Sequence, residues 1–498
     1  MNPWRGLLAL VCALPSIAAA QDVSLSLDEA LKQARANSPT YRQTLNDASP
    51  AKWGVRNAYG SLLPSFTAST DLGYTGAGEA NLGQGFIQQT SEFLTTSYSL
   101  ALRWDLNGRA LTAPAQQKAL QRATDEDITG AGVALTAEIS TQYLNTLQAT
   151  AQVGVARQQV RRNEDFLTLA KARYRVGQAT LLDVRQAEVT KGNSDVALLR
   201  AVLAENEAKL DLLRRMGVEP PVALERIALT DSFPVTPPGF QIDTLLAMAE
   251  QYNPVLRSLR AREHAAGVGV TQAKSDFFPT LTMQAGWAGF TQKYTDENLL
   301  LNQGLTEAQA QAADCQYNNS IKSGLSLGGE VPNCYAAAGL EDGGGALLPP
   351  VSEQILSQND PFPIHYRSQP FQAIVALSLP IFTGFSRSLR LSQARAQQDD
   401  ADEDVRARRL LVRSDVHARY LGLQTAFQAI AVEASSREAA RDQLRLAQDR
   451  YRLGAGTALE LSDAQNAVQQ AEGGYINAVY AYHKAVAALE AAVGRPLR

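Results

Sequence analysis

Arg173-Tyr174-Arg175-Val176-Gly177-Gln178-Ala179-Thr180 is written again as Arg450-Tyr451-Arg452-Leu453-Gly454-Ala455-Gly456-Thr457, 277 positions later. Upstream, Asn37-Ser38-Pro39 and Leu63-Pro64-Ser65-Phe66 return as Tyr252-Asn253-Pro254 and Phe278-Pro279-Thr280-Leu281, 215 positions later. The chain is therefore an internal duplication, and the difference between the two offsets, 62 positions, is an insertion in the second half. The repeats span residues 21–219 and 240–498, and five prolines mark residues 220–239 as the linker between them.

Each octapeptide sits between two long periodic stretches. Ile139, Thr146, Val153, Val160, Leu167 and Tyr174 lie seven apart, as do Val416, Leu423, Ile430, Arg437, Leu444 and Tyr451. That spacing predicts coiled-coil helices over Arg109–Val176 and Ser386–Leu453, each about 100 Å long at 1.5 Å per residue. The returning stretches repeat at the same interval, with Leu182, Val189, Val196, Leu203 and Leu210 in the first half and alanines 464, 471, 478, 485 and 492 in the second. Gly177 and Gly454 then turn two antiparallel hairpins.

Four shorter segments alternate with period two: Phe66, Ala68, Thr70, Leu72 and Tyr74; Tyr98, Leu100, Leu102, Trp104 and Leu106; Leu281, Met283, Ala285 and Trp287; Phe371, Ala373, Val375, Leu377 and Leu379. Each reads as a strand with one apolar face. Each half thus runs short helix, two strands, very long helix, turn and long helix. The insertion, about 291–369, shows no sustained periodicity and reads as a long loop.

The first twenty residues carry a cation, Arg5, an apolar run from Leu7 to Leu14 and the small-residue end Ala18-Ala19-Ala20, which is a cleavable export signal. Cys12 lies inside the apolar run, which disfavours a lipid anchor on it. Cys315 and Cys334 remain in the exported chain, a setting in which a disulfide between them is expected to persist. No window holds the roughly 18 consecutive apolar residues of a membrane-spanning helix, so insertion into a bilayer has to use strands. Tyr and Trp near strand ends suit a membrane barrel. Four strands cannot close one, and open edges are forbidden in hydrocarbon, so several copies must share a barrel; periodicity alone leaves two, three or four open.

The net charge of −4, with acids and bases intermixed, offers no basic face for nucleic acid. His264, His365, His417 and His483 are scattered without metal-ligand spacing, and the Gly343–Gly345 run leads into Leu-Leu-Pro-Pro rather than a phosphate-cradling helix. No catalytic residue, metal or cofactor is expected, and the chain is not expected to be an enzyme.

The duplicated layout, the Leu-Pro-Ser-Phe start and the two tips Tyr-Arg-Val-Gly and Tyr-Arg-Leu-Gly resemble, over essentially the whole exported chain, the TolC-like outer-membrane efflux proteins. The resemblance implies an α+β membrane protein: a homotrimer whose β-barrel sits in outer-membrane lipid and continues into a periplasmic α-helical barrel. It implies export of small molecules, such as drugs and toxic compounds, or of polypeptides. It also implies docking to a periplasmic adaptor (membrane fusion) protein and an inner-membrane transporter. Val176, Gly177, Thr180, Leu453, Gly454 and Thr457 are then the adaptor-docking tips, and Asp183, Tyr451 and Arg452 a periplasmic gate in which the phenol meets the carboxylate. Glu460 and Asp463, three apart on one helix face, form an acidic entrance ring. Gly456 departs from the family, where an arginine would join Asp183, so the lock is either weaker or borrows Arg452. A periplasmic or surface coiled-coil scaffold without conduction explains the helices but not the strands.

Overall fold

The computed structural model describes residues 23–81, 87–220, 224–325, 331–359 and 362–497. The export signal, 1–20, lies outside the described residues. In chain order, the first repeat contains β1 (Val23–Leu25), α1 (Leu27–Asn37), α2 (Pro39–Asn46), α3 (Ala48–Gly60), β2 (Ser65–Thr75), the antiparallel pair β3 (Gly78–Asn81) and β4 (Ile87–Thr90), β5 (Phe93–Leu106), α4 (Gly108–Arg175) and α5 (Leu181–Met216). β6 (Ile227–Leu229) follows, within the linker. The second repeat contains α6 (Ile242–Tyr252), α7 (Pro254–Ser275), β7 (Thr280–Tyr294), α8 (Glu297–Gly324), α9 (Cys334–Ala337), α10 (Pro349–Ser357), β8 (Arg367–Ser368), β9 (Gln372–Ser378), α11 (Ser386–Arg452) and α12 (Ala458–Val493). These elements gather into two compact units, one with Asn57–Pro114 and Thr271–Leu391 and the other with the remaining described residues.

In the strand-bearing unit, β2, β5, β7 and β9 form an antiparallel sheet in that order, and β8 extends β9 along the same edge of β7. The register places the four alternating sets on a single face. Phe66 lies opposite Leu102, Leu102 opposite Ala285 and Ala285 opposite Ala373; one step along, Trp104 faces Met283 and Met283 faces Val375. Directly opposed residues share a face, so the other face carries Ser65, Arg103 and Gln284, or Ser69, Ser99 and Ala288. The outer strands β2 and β9 are exposed along nearly their whole length, and each leaves one ladder edge unpaired.

The insertion is not the loop that its sequence suggests. α8 is a 28-residue helix opened by Asp296, whose carboxylate accepts from Asn298 N at 3.0 Å. Its apolar side is built from small residues, Ala308 and Ala312, packed with Leu305, Tyr335, Leu340 and Leu347. A stripe of alanines carries little hydrophobic contrast, which is why periodicity does not reveal it. Cys315 and Cys334 are joined by a disulfide closing a sequence separation of 19. Such a crosslink contributes about 3 kcal/mol by restricting the unfolded chain. Replacing both cysteines by serine is expected to speed amide exchange in α8; unaltered exchange would remove the stapling role.

The helical unit adds three features to the sequence reading. The opening helix of the first repeat is three segments, α1 to α3, and the second has two, α6 and α7. The linker contributes β6, which pairs in parallel with β1, Val23 beside Ile227. Finally, the Leu182–Val189–Val196–Leu203–Leu210 stripe lies exposed along α5. The seam instead uses small side chains such as Ala187, Ser194 and Ala464. Gln142 Nε2 donates to Ala208 O from α4 to α5, Gln152 Nε2 to Gly473 O from α4 to α12, and Val416 and Leu423 pack with Val486 and Leu489 between α11 and α12. α4 is thus bonded to both α5 and α12, and α12 packs with α11, while nearer the turns Phe166 of α4 also meets Tyr451 of α11.

The duplicated Asn-Ser-Pro and Tyr-Asn-Pro turns receive a common explanation. Each abuts the glycine that ends a returning helix: a Cβ on Gly217 would lie 2.4 Å from Asn37 O, and one on Gly494 would lie 2.7 Å from Tyr252 O. Both glycines adopt positive φ, +72° and +90°, so backbone approach and left-handed geometry together require glycine there.

Candidate functional site at the hairpin tips

The two octapeptides end α4 and α11 in the same way. Gly177 and Gly454 have φ of +77° and +78°, and the last carbonyls are closed by Gln178 N to Arg173 O at 2.8 Å and Ala455 N to Arg450 O at 2.9 Å. Each turn is then clasped from inside, Arg173 Nη2 donating to Gln178 O and Arg450 Nη2 to Ala455 O, both at 3.2 Å. Thr180 and Thr457 restart the chain as helix N-caps. Val176 and Leu453 stand exposed beside the glycines.

Below the turns, the hairpins of one chain share a core: Phe166 and Ala170 of α4, Val184 and Ala187 of α5, Leu444 and Tyr451 of α11, and Leu461 and Ala464 of α12. The duplication breaks symmetry here. Tyr174 is 46 % exposed, whereas its counterpart Tyr451 is 3 % exposed, packed edge-on against Phe166 at 5.5 Å between centroids.

Asp183 and Tyr451 are not hydrogen-bonded within the chain. The Asp183 carboxylate accepts from Thr180 N at 2.8 Å and Thr180 Oγ1 at 2.9 Å, completing a capping box with its own helix. The Tyr451 hydroxyl is buried without a hydrogen-bond partner. Burial pushes its pKa above the ordinary phenol range, Arg173 draws it back, and Asp183 pushes it up. Beside the turns, the bond that crosses between the hairpins belongs to Arg173. Its Nη1 donates to Tyr451 O, and its guanidinium lies over the Tyr451 ring at 4.7 Å. Arg452, the proposed substitute, is exposed at the end of α11.

Glu460 and Asp463 are both exposed on the first turns of α12. Glu460 lies 3.6 Å from Arg450 Nη1 in a half-exposed pair, worth about 0 to 1 kcal/mol. Asp463 has no ion pair among those found in the described residues. Gly456 sits between these groups: a Cβ there would come within 3.2 Å of Glu460 Oε2 and Tyr451 N, so a larger residue would have to displace them.

Farther from the turns lies a buried polar layer that periodicity could not reveal. Glu472, almost fully enclosed, takes Arg441 Nη2 at 3.0 Å and Arg162 Nη2 at 3.4 Å, and Arg162 also donates to Gln159 Oε1 at 2.7 Å. A buried ionic group of this kind contributes little net stability, because desolvation offsets the attraction. Among the described residues no group of three His, Cys, Asp or Glu side chains is arranged to hold a metal. His483 is packed between Phe233 and Tyr482.

Residues 30–218 and 354–495 match the family model described as outer membrane efflux protein. The chain belongs to that family and is an outer-membrane protein. It is 29 % identical, over 266 residues, to the toluene efflux pump outer membrane protein TtgF of Pseudomonas putida, covering 52 % of each chain; it thus spans about half the length of the curated relatives that it matches. In fold it is similar to a membrane protein of Pseudomonas aeruginosa, with a TM-score of 0.67 at 20 % identity over 96 % of this chain and 94 % of that one. It is also similar to the outer membrane protein VceC of Vibrio cholerae, with a TM-score of 0.66 at 16 % identity over 95 % of this chain and 97 % of that one.

Proposed function

We propose that this chain is the outer-membrane exit duct of a tripartite export machine and that it works as a homotrimer. The observation that carries the reading is that each unit, taken by itself, has unfinished edges. β2 and β9 leave open ladders at the two sides of the sheet, and α5 and α11 leave exposed apolar stripes, with Val189, Leu199 and Leu203 on the first and Leu421, Val432 and Leu446 on the second. A head-to-tail contact that joins β9 to β2 and α11 to α5 closes into a ring. With β2, β5, β7 and β9 from each copy, three copies supply a twelve-stranded barrel, above the roughly eight strands of the smallest membrane barrels. The apolar sheet face then meets outer-membrane lipid and the polar face lines the pore.

The tips are the docking point for a periplasmic adaptor linked to an inner-membrane transporter. The shared core around Phe166 and Tyr451 is the closed form of the entrance, held by Arg173. Opening separates the second hairpin from the first. The cargo class is small molecules, as the name of the TtgF relative says of that pump, with polypeptides as the alternative. Glu460 and Asp463 supply up to six carboxylates around the entrance of a trimer, and charged rings of one sign select counter-ions.

Purified protein in a planar bilayer tests the reading. Cation-selective pores are expected, and Glu460→Gln with Asp463→Asn is expected to move the cation-to-anion permeability ratio toward unity. Pores whose selectivity ignores these substitutions would remove the acidic ring. Detergent-free solubility without any conductance would leave a coiled-coil scaffold.

A further inference from the structure

The two sides of α4 meet different surroundings in the helical unit. Leu135, Ile139 and Tyr143 are buried with Leu25 of β1 and Ala30 and Ala34 of α1. Ala134, Glu138, Thr141 and Asn145 lie on the opposite side of the helix, where they border a cavity of about 670 Å³. Leu411, Asp415 and Arg419 of α11 border it too, and α12 contributes Ala488, Ala491 and Ala492. The 277-position repeat relates the two walls, since Ala134, Glu138 and Gln142 correspond to Leu411, Asp415 and Arg419. The volume falls within the range of pockets that take a drug-sized molecule.

The charges around this apolar space do not balance. Its carboxylates are taken, Glu138 by Arg215 and Asp415 by Arg419 at 3.2 Å. Arg408, a further lining residue, is half-buried and enters no ion pair found among the described residues. Its Nε is buried without a hydrogen-bond partner. One turn along α12 from Ala488, Lys484 donates to two amide oxygens, Asn145 Oδ1 at 3.0 Å and Gln148 Oε1 at 2.7 Å, where a carboxylate would serve better. Burial holds its ammonium below the ordinary lysine range. A partly desolvated cation without a counter-charge gains from any anion that can reach it. About 40 Å of α12 separates Ala488 from Asp463, so these cations act on a molecule already past the acidic entrance.

We infer that this cavity is a binding site on the duct wall for an aromatic carboxylate, its ring against the α12 alanines and its acid group on Arg408. The inference rests on the proposed ring, whose lining is the side of α4 away from α1 and β1. The photoreactive anion 4-benzoylbenzoate tests it, beside its neutral amide and a trimethylammonium analogue, each irradiated with the full-length protein in proteoliposomes. Labelled residues are identified by mass. The carboxylate is expected to label α4, α11 or α12 around the cavity more than the amide does, and the cation least. Arg408→Ala is expected to lower that labelling at least about tenfold, the loss that follows removal of a charged hydrogen bond, while heat-resistant trimers persist. Arg408→Lys and Lys484→Met should each lower it less, and Arg409→Ala, exposed on the same helix, should leave it unchanged. Equal labelling by the three probes, labelling that ignores Arg408→Ala, or no labelling in a preparation that conducts in planar bilayers would overturn the site and leave the duct standing. No conductance in any preparation would overturn the duct, and with it the place of the site on its wall.

Discussion

Arg173→Ala is expected to shift the entrance toward its open form by roughly 10- to 100-fold, raising conductance in planar bilayers. Arg173 is half-buried and makes the one bond seen here that ties the last turn of α4 to Tyr451 of the second hairpin. A hydrogen bond from a charged donor contributes about 1.5 to 3 kcal/mol, and stacking over a phenol about 0.5 to 1 kcal/mol more. Arg173→Lys retains the charge but not the planar fork, so it should fall between the parent and alanine. Tyr451→Phe should change little, because the hydroxyl that it removes is buried and has no partner within the chain; an unpaired buried hydroxyl costs about 1 to 3 kcal/mol. Conductance that rises with Tyr451→Phe but stays at the parent value with Arg173→Ala would transfer the lock to a phenol–carboxylate contact between copies.

Gly454→Val and Gly177→Val should abolish adaptor crosslinking and lower export at least tenfold while heat-resistant trimers persist. Both positions hold φ near +78°, where a side chain costs about 1 to 2 kcal/mol and a β-branched one more. The turn would relax to another shape and displace Val176 or Leu453, the exposed apolar residues beside it. The proposed ring contacts along α5, α11 and the sheet edges do not include these turns, so assembly should be spared. Crosslinking that survives both substitutions would reduce the tips to chain reversals.

Strands and long helices are legible in the sequence because each has a period that one face enforces. The registers Phe66–Leu102–Ala285–Ala373 place on one surface the very sets that alternation separates. The place of the α5 stripe is not legible in the sequence, for a physical reason. Leucine and alanine rows both repeat at seven, so spacing alone does not say which row faces the partner helix, and helices that approach closely need small residues such as Ala187 and Ala464. The larger row is left over for another surface. At the tips, the turn glycines and capping threonines can be read from spacing, since their roles are local. The crossing bond of Arg173 cannot, because its acceptor is a main-chain carbonyl 278 residues away, which no side-chain pattern encodes. The helical insertion escapes for want of contrast between its alanines and their polar neighbours.

The unpaired edges of β2 and β9 also bear on inheritance. In the proposed ring, a chain whose sheet is finished by its neighbours cannot be defective in private, since every ring that it joins would receive its faulty tip. In a ring of three assembled at random from equal amounts of two alleles, only about one assembly in eight contains no altered subunit. A tip allele that still assembles should therefore be dominant over the wild type, whereas an allele that blocks edge pairing should be recessive, because its product never enters a ring.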